Sequence, residues 1–190
     1  QTGVFDLALL NGRLGKGPLG QAALALLIVG LIAKTALFPL HLWLPPAHSS
    51  APAPVSATLS ALVVKASFYI LLRASFTAFS DAALAAVGPI LGALGAAAVL
   101  WGSLQALTQD RLKLMIAYST VAQIGYLFLL FPVAMPGAGD AEWQSKAWIA
   151  GIFHALAHAC AKAAMFMAAG AILRGLHVPH GQIRVSCDAR

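Results

Sequence analysis

Acidic residues are scarce in this chain of 190 residues, with six Asp and Glu against twelve Lys and Arg. Charged residues of both signs make up only 9%. Soluble domains carry about 25%, so an ordinary water-facing globular surface is excluded. Cysteine is nearly absent: Cys160 lies in an apolar stretch and Cys187 in a polar tail, which rules out a disulfide framework or a cysteine metal cluster. The sequence holds no glycine-rich nucleotide loop and no Cys or His grouping of the iron–sulfur kind. No cofactor, no metal and no redox centre of its own is therefore expected. Low-complexity runs and short repeats are also missing. The chain begins with Gln1 and its first apolar block outruns a signal-peptide core; we expect an internal piece of a longer protein.

What is abundant is long apolar sequence, with a mean hydropathy of +0.83. Five blocks fall at about 19–40, 55–73, 83–106, 114–133 and 148–173. All but the slightly short second reach the roughly 20 residues that a spanning helix needs. Backbone groups in lipid must be satisfied within the segment, so blocks of this length mean helices. The expected fold is all-α, a polytopic transmembrane helix bundle with about five spanning helices. Residues 1–18 read as an interfacial loop or the end of a preceding element, and 176–190 as a polar tail. Net charge is +6, but the basic residues are spread along the chain and three lie inside apolar blocks. Nucleic acid needs clustered, water-facing cations; the expected partner is the lipid bilayer.

Those three residues are Lys34, Lys65 and Lys162. A charged side chain at mid-membrane costs about 2.5–3.5 kcal/mol even on lenient scales. Snorkelling suits a basic residue within a turn of a helix end, such as Arg73 or Arg174, but not Lys65 or Lys162. None of the five blocks holds an Asp or Glu, and an amine without a fixed counter-charge can both accept and release a proton. In the fifth block His154, His158 and Lys162 follow at i, i+4 and i+8, along one helix face. Imidazole passes a proton from one ring nitrogen to the other. This face reads as a proton wire, as packing histidines, or as half a zinc site, though no block supplies a carboxylate ligand.

The fourth block carries Tyr118, Ser119, Thr120, Gln123 and Tyr126. Such groups either bond across to neighbouring helices or line a hydrated path. The third, with Trp101, Ser103 and Gln105 as its polar or aromatic marks, reads as packing. Pro39 interrupts the first block, as in broken transporter helices whose freed carbonyls line a cavity; a plain kink is the alternative. Between His41 and Ala53 stand Pro45, Pro46 and Pro52, with Pro54 following, a set that stops one helix and starts the next.

The run Lys34-Thr-Ala-Leu-Phe-Pro-Leu-His-Leu-Trp-Leu-Pro-Pro-Ala-His48, then Ala53-Pro-Val-Ser-Ala57 and Lys65-Ala-Ser-Phe-Tyr-Ile-Leu-Leu-Arg73, resembles the antiporter-like proton-pumping subunits of respiratory complex I and Mrp-type cation/proton antiporters. Asp110-Arg-Leu-Lys-Leu-Met-Ile-Ala-Tyr-Ser-Thr-Val-Ala-Gln-Ile-Gly-Tyr126 and Phe153-His-Ala-Leu-Ala-His158 with Lys162 are similar to the same family in the same order. The resemblance implies a larger inverted-repeat transporter fold with a broken helix, here near Pro39, in each repeat. It implies that Lys34 matches the lysine beside the first broken helix, Lys65 that of the next helix, and His158 with Lys162 the central relay. Pro46 stands where many relatives have Asp, and Ala122 where many have Ser. The glutamate partner of the first lysine and the terminal group of the second broken helix lie outside this chain.

The function so implied is proton translocation by a subunit of an NADH:quinone oxidoreductase or an Mrp-type antiporter, beside other membrane subunits, in the bacterial cytoplasmic membrane. Whether sodium takes part is left open. A membrane subunit of an energy-converting hydrogenase, a non-conducting scaffold and a metal-ion transporter using His154 and His158 are the alternatives. Hydrogenase subunits share the first run, but their helix matching Tyr118–Tyr126 reads differently.

Overall fold

The first apolar block folds as helix α1, Gly17–Thr35, and leaves the helix four residues before Pro39. The computed structural model describes residues 17–78, 81–135 and 138–175; the tail at 176–190 and all but the end of the loop at 1–18 lie outside them. Ala36 takes a left-handed φ of 60°. Its amide bonds the Ala33 carbonyl and that of Leu37 bonds Ile32, both at 3.2 Å. These paired reverse bonds are the helix stop usually built on glycine; alanine there costs about 1 kcal/mol. Pro39, which follows a cis Phe38–Pro39 peptide, lies in the turn beyond the break.

The prolines of the connection start two short helices. Helix α2, Leu44–Ser50, has Pro45 and Pro46 in its first turn, where a missing amide costs nothing. Helix α3, Ala53–Thr58, is entered from Pro52 and carries Pro54 in its first turn. It runs on through a π-helical turn, Leu59–Val63, into α4, Val64–Ala78. The second apolar block is thus one long helix with a single wider turn in it. Composition gives no sign of that turn, because Leu59 to Val63 would suit an ordinary α-turn.

Helix α5 spans Asp81–Leu107 and α6 spans Leu112–Phe128. A short α7, Leu130–Ala134, continues from α6. Pro132 cannot donate to the Phe128 carbonyl four residues back, which ends α6 there. Helix α8, Ala141–Gly175, begins seven residues ahead of the apolar block at 148–173. Asp140 caps it, its Oδ1 accepting the Trp143 amide at 2.8 Å, and an exposed Glu142–Lys146 pair at 2.6 Å supports the first turns.

Five helices are long and apolar enough to span a membrane, and no strand occurs among the described residues. Helix α6 is the central element. Against α5 it packs backbone to backbone: a Cβ on Gly95 would lie 2.7 Å from the Gly125 carbonyl, and one on Gly102 would lie 2.6 Å from the Ala122 amide. Close approach through small residues is how membrane helices associate without a hydrophobic driving force. Phe68 of α4, Phe128 of α6 and Phe131 of α7 close the core beside this seam, with ring centroids 5.4–6.1 Å apart.

Candidate functional site

The buried side chains of α8 are His158, Lys162, Phe166, Ala169, Gly170 and Leu173, a stripe at helical spacing. A stripe of this kind normally holds only apolar residues; here its first two members are ionisable. Lys162 is 3% exposed. Its Nζ donates to the Ile116 carbonyl of α6 at 3.1 Å and to Ser119 Oγ. The hydroxyls of Ser119 and Thr120 donate to the same Ile116 carbonyl, each at 2.9 Å. One carbonyl therefore serves three side chains, more than its two lone pairs hold strongly at once. The donors around it can exchange.

From Thr120 the network crosses to the helix carrying the π-turn. Thr120 Oγ1 and Ser60 Oγ are 3.2 Å apart, both buried, and Lys65 Nζ donates to the Ser60 carbonyl at 2.6 Å. Among the described residues no carboxylate pairs with Lys65 or Lys162. In the other direction along α8, His158 is 5% exposed and its two ring nitrogens have no partner. His154 lies next to it, rings stacked with centroids 6.1 Å apart, and beyond it Tyr126 of α6, at 6.0 Å. His154, His158 and Lys162 thus follow one another along one face of α8, and Lys162 is linked towards Lys65 through the Ile116 and Ser60 carbonyls with the Thr120 and Ser60 hydroxyls between them.

Not every candidate residue enters this row. Lys34 is exposed on the last turn of α1, apart from the others. Of the residues at the break, Pro39 is exposed, while Pro45 and His41 are buried. His41 stacks on Phe38 at 5.5 Å. Burial pushes its pKa below the usual imidazole range, against a hydrogen bond to Pro39 that pulls the other way. Trp43 closes the break by donating from Nε1 to the Ala33 carbonyl at 2.8 Å. Ser119 and Thr120 belong to the row; Tyr118 and Gln123 flank it, half-buried. Cys160 is exposed, and no three His, Cys, Asp or Glu side chains form a cation-holding group among the described residues.

Ser60, Lys113 and His48 are buried polar groups to which the sequence assigns no role. Lys113, on the first turn of α6, looks like a loop cation but is 2% exposed and donates to the Ala51 carbonyl. The signal for Ser60 was its spacing of five from Lys65, which becomes a contact only through the π-turn.

Residues 2–183 match the model of a family described as NADH:quinone oxidoreductase/Mrp antiporter, TM. The chain belongs to this family. Among curated members it is 40% identical over 170 residues to NADH-quinone oxidoreductase subunit N of Desulforudis audaxviator, covering 88% of this chain and 32% of that one. It is 33% identical over 180 residues to hydrogenase-4 component B of Escherichia coli, covering 93% and 27%. Among solved structures the Mrp complex from Dietzia sp. DQ12-45-1b superposes with a TM-score of 0.76 at 29% identity, over 90% of this chain and 30% of that one. The chain thus spans about a third of the length of these antiporter-like membrane subunits.

Proposed function

We propose that the protein translocates protons across the membrane, with buried Lys162 and His158 and half-buried Lys65 and His154 as stepping groups and Lys34 as a further group at the break after α1. The observation that carries this reading is Lys162, enclosed mid-helix and held only by neutral oxygens of Ile116 and Ser119. A structural lysine at that depth calls for a carboxylate or a reach to the headgroups. Here its partners are shared oxygens, so the ammonium can leave them without abandoning a fixed charge. Beyond the Ser60 carbonyl that holds Lys65 stand the Ser60 and Thr120 hydroxyls, and a proton given up by Lys162 has the His158 ring a turn away. Half-buried Tyr118 and Gln123 supply further polar lining.

The driving force comes from partner membrane subunits: a redox module in a quinone reductase, or a counter-cation gradient, sodium included, in an antiporter. Similarity to hydrogenase-4 component B supports a hydrogenase complex as a second assembly for the same proton path. The bacterial cytoplasmic membrane is the proposed location.

The test is proton flux in sealed vesicles holding the full-length protein in its complex. Lys162→Ala and Lys65→Ala are each expected to lower flux at least about tenfold, the scale of losing one positioned acid–base group, while the protein still inserts. Wild-type flux in both variants overturns the reading.

A further inference from the structure

His48 is a fully buried titratable side chain outside the row just described. It stands on α2 with no exposed surface, and neither Nδ1 nor Nε2 has a hydrogen-bond partner. Its ring lies flat on Phe166, centroids 4.5 Å apart and planes 20° off parallel. Phe166 is one turn along α8 from Lys162, and it packs with Ile116 and Leu112 at the start of α6. The imidazole is therefore one turn nearer the start of α6 than the Lys162 ammonium. Lys113, in the first turn of α6, reaches over to the Ala51 carbonyl in the link between α2 and α3, three residues on from His48.

We propose that His48 passes protons between Lys162 and Lys113, making the corner between α2 and α3 the port by which the buried row reaches the start of α6. This rests on the proton-transfer reading above. In the step from Lys162, its Nζ–H bond breaks as one ring nitrogen takes the proton, leaving a neutral amine and an imidazolium. The second ring nitrogen then releases its own proton to a neutral Lys113 Nζ, and the ring returns uncharged in its other tautomer. Charge and protons balance without another reactant, and intervening water carries the proton where a gap exceeds hydrogen-bond reach.

Three features of the site fit a relay better than a packing ring. A phenylalanine would fill the same place on Phe166 without burying two unpaired nitrogens, each of which costs about 1–3 kcal/mol. Burial first, then the charges of Lys113 and Lys162, hold the His48 pKa down to about 4, so the ring rests neutral and is free to accept. The step begins with Lys113 neutral, so once Lys162 gives up its proton neither charge opposes the imidazolium, which is disfavoured least at the moment it forms.

The decisive variant is His48→Phe in the full-length protein within its complex, assayed in sealed vesicles with a pH-sensitive dye. It keeps a ring on Phe166 and removes both titrating nitrogens. Flux per assembled molecule is expected to fall at least about tenfold, whereas Phe166→Leu, which breaks the stack and keeps the imidazole, retains most of it. Should His48→Phe assemble poorly, His48→Gln is read in the same assay, normalised to protein amount. Wild-type flux per molecule in the variant that assembles overturns the proposal. Lys162→Ala and Lys65→Ala separate the two levels: lost flux there with normal flux in the His48 variant removes only the port, while normal flux in both removes the proton-transfer reading and the port with it.

Discussion

Helix α6 has two working faces that could hardly differ more. Towards α5 it presents Gly125 and the Ala122 backbone, so close to Gly95 and Gly102 that no side chain fits between. Towards α8 and the π-turn helix it presents the Ile116 carbonyl, Ser119 and Thr120, all engaged with amines or hydroxyls of other helices. The first face is held by backbone contact and has nothing to titrate. The second is held by groups that can each find another partner within a turn. The lesson is a division of labour inside one helix: the dry face fixes its position, so that the polar face can exchange hydrogen bonds without the helices moving.

The strongest way to break this comparison is to put a side chain into the dry face. Gly125→Leu drives four carbons into the Gly95 carbonyl and the Val99 amide; overpacking of this kind costs about 3 kcal/mol. Assembled protein in the membrane, read on a native gel, is expected to collapse, with flux lost only in proportion. Next in size is Lys162→Arg on the polar face. Arginine keeps the charge but does not release its proton; assembly is expected to survive while flux falls at least about tenfold. An Arg variant with full flux would make Lys162 a fixed charge.

Ser119→Ala is a smaller perturbation of the same face. It removes one of the two acceptors of Lys162 and leaves the Ile116 carbonyl; a charged hydrogen bond is worth about 1.5–3 kcal/mol. Flux is expected to fall several-fold with protein amount unchanged, and equal losses of both would place Ser119 on the structural side. The smallest effect is expected away from both faces. Trp43→Phe removes the indole bond to the Ala33 carbonyl, lowering stability by about 1 kcal/mol in a thermal melt in detergent and sparing flux. A flux loss there would bring the break after α1 into the conducting region as a third part.

The helices themselves were legible in the sequence because apolar length is a direct physical requirement of the bilayer. The row on α8 was legible for a similar reason: a spacing of four places His158 and Lys162 on one face whatever surrounds them. Contacts between helices were not. Thr120 meets Ser60 only because α6 packs against the π-turn helix, and no local pattern encodes that pairing. Pro39 marked the break, but the chain leaves the helix at Ala36, where tertiary packing holds an alanine in a glycine conformation. The start of α8 was hidden because Asp140, Glu142 and Lys146 look like loop residues, although together they form a cap and an i, i+4 pair. Lys34 stood at a similar depth to the other lysines by count along the chain, yet it sits on an exposed turn of α1.

The π-turn at Leu59–Val63 bears on how such chains are aligned and how they gain or lose residues. A π-turn holds one residue more than the α-turn it replaces, so deleting a residue from 59–63 would leave a continuous helix. The turn absorbs that residue, so the helix on either side keeps its face across such a deletion, whereas deleting a residue from the regular helix between Val64 and Lys65 would turn one flank against the other by about 100°. A relative without the wider turn must therefore be aligned with a one-residue gap inside a transmembrane helix, where gaps are normally penalised. Placed without that gap, the residues equivalent to Ser60 and Lys65 would be paired with neighbours from the wrong face.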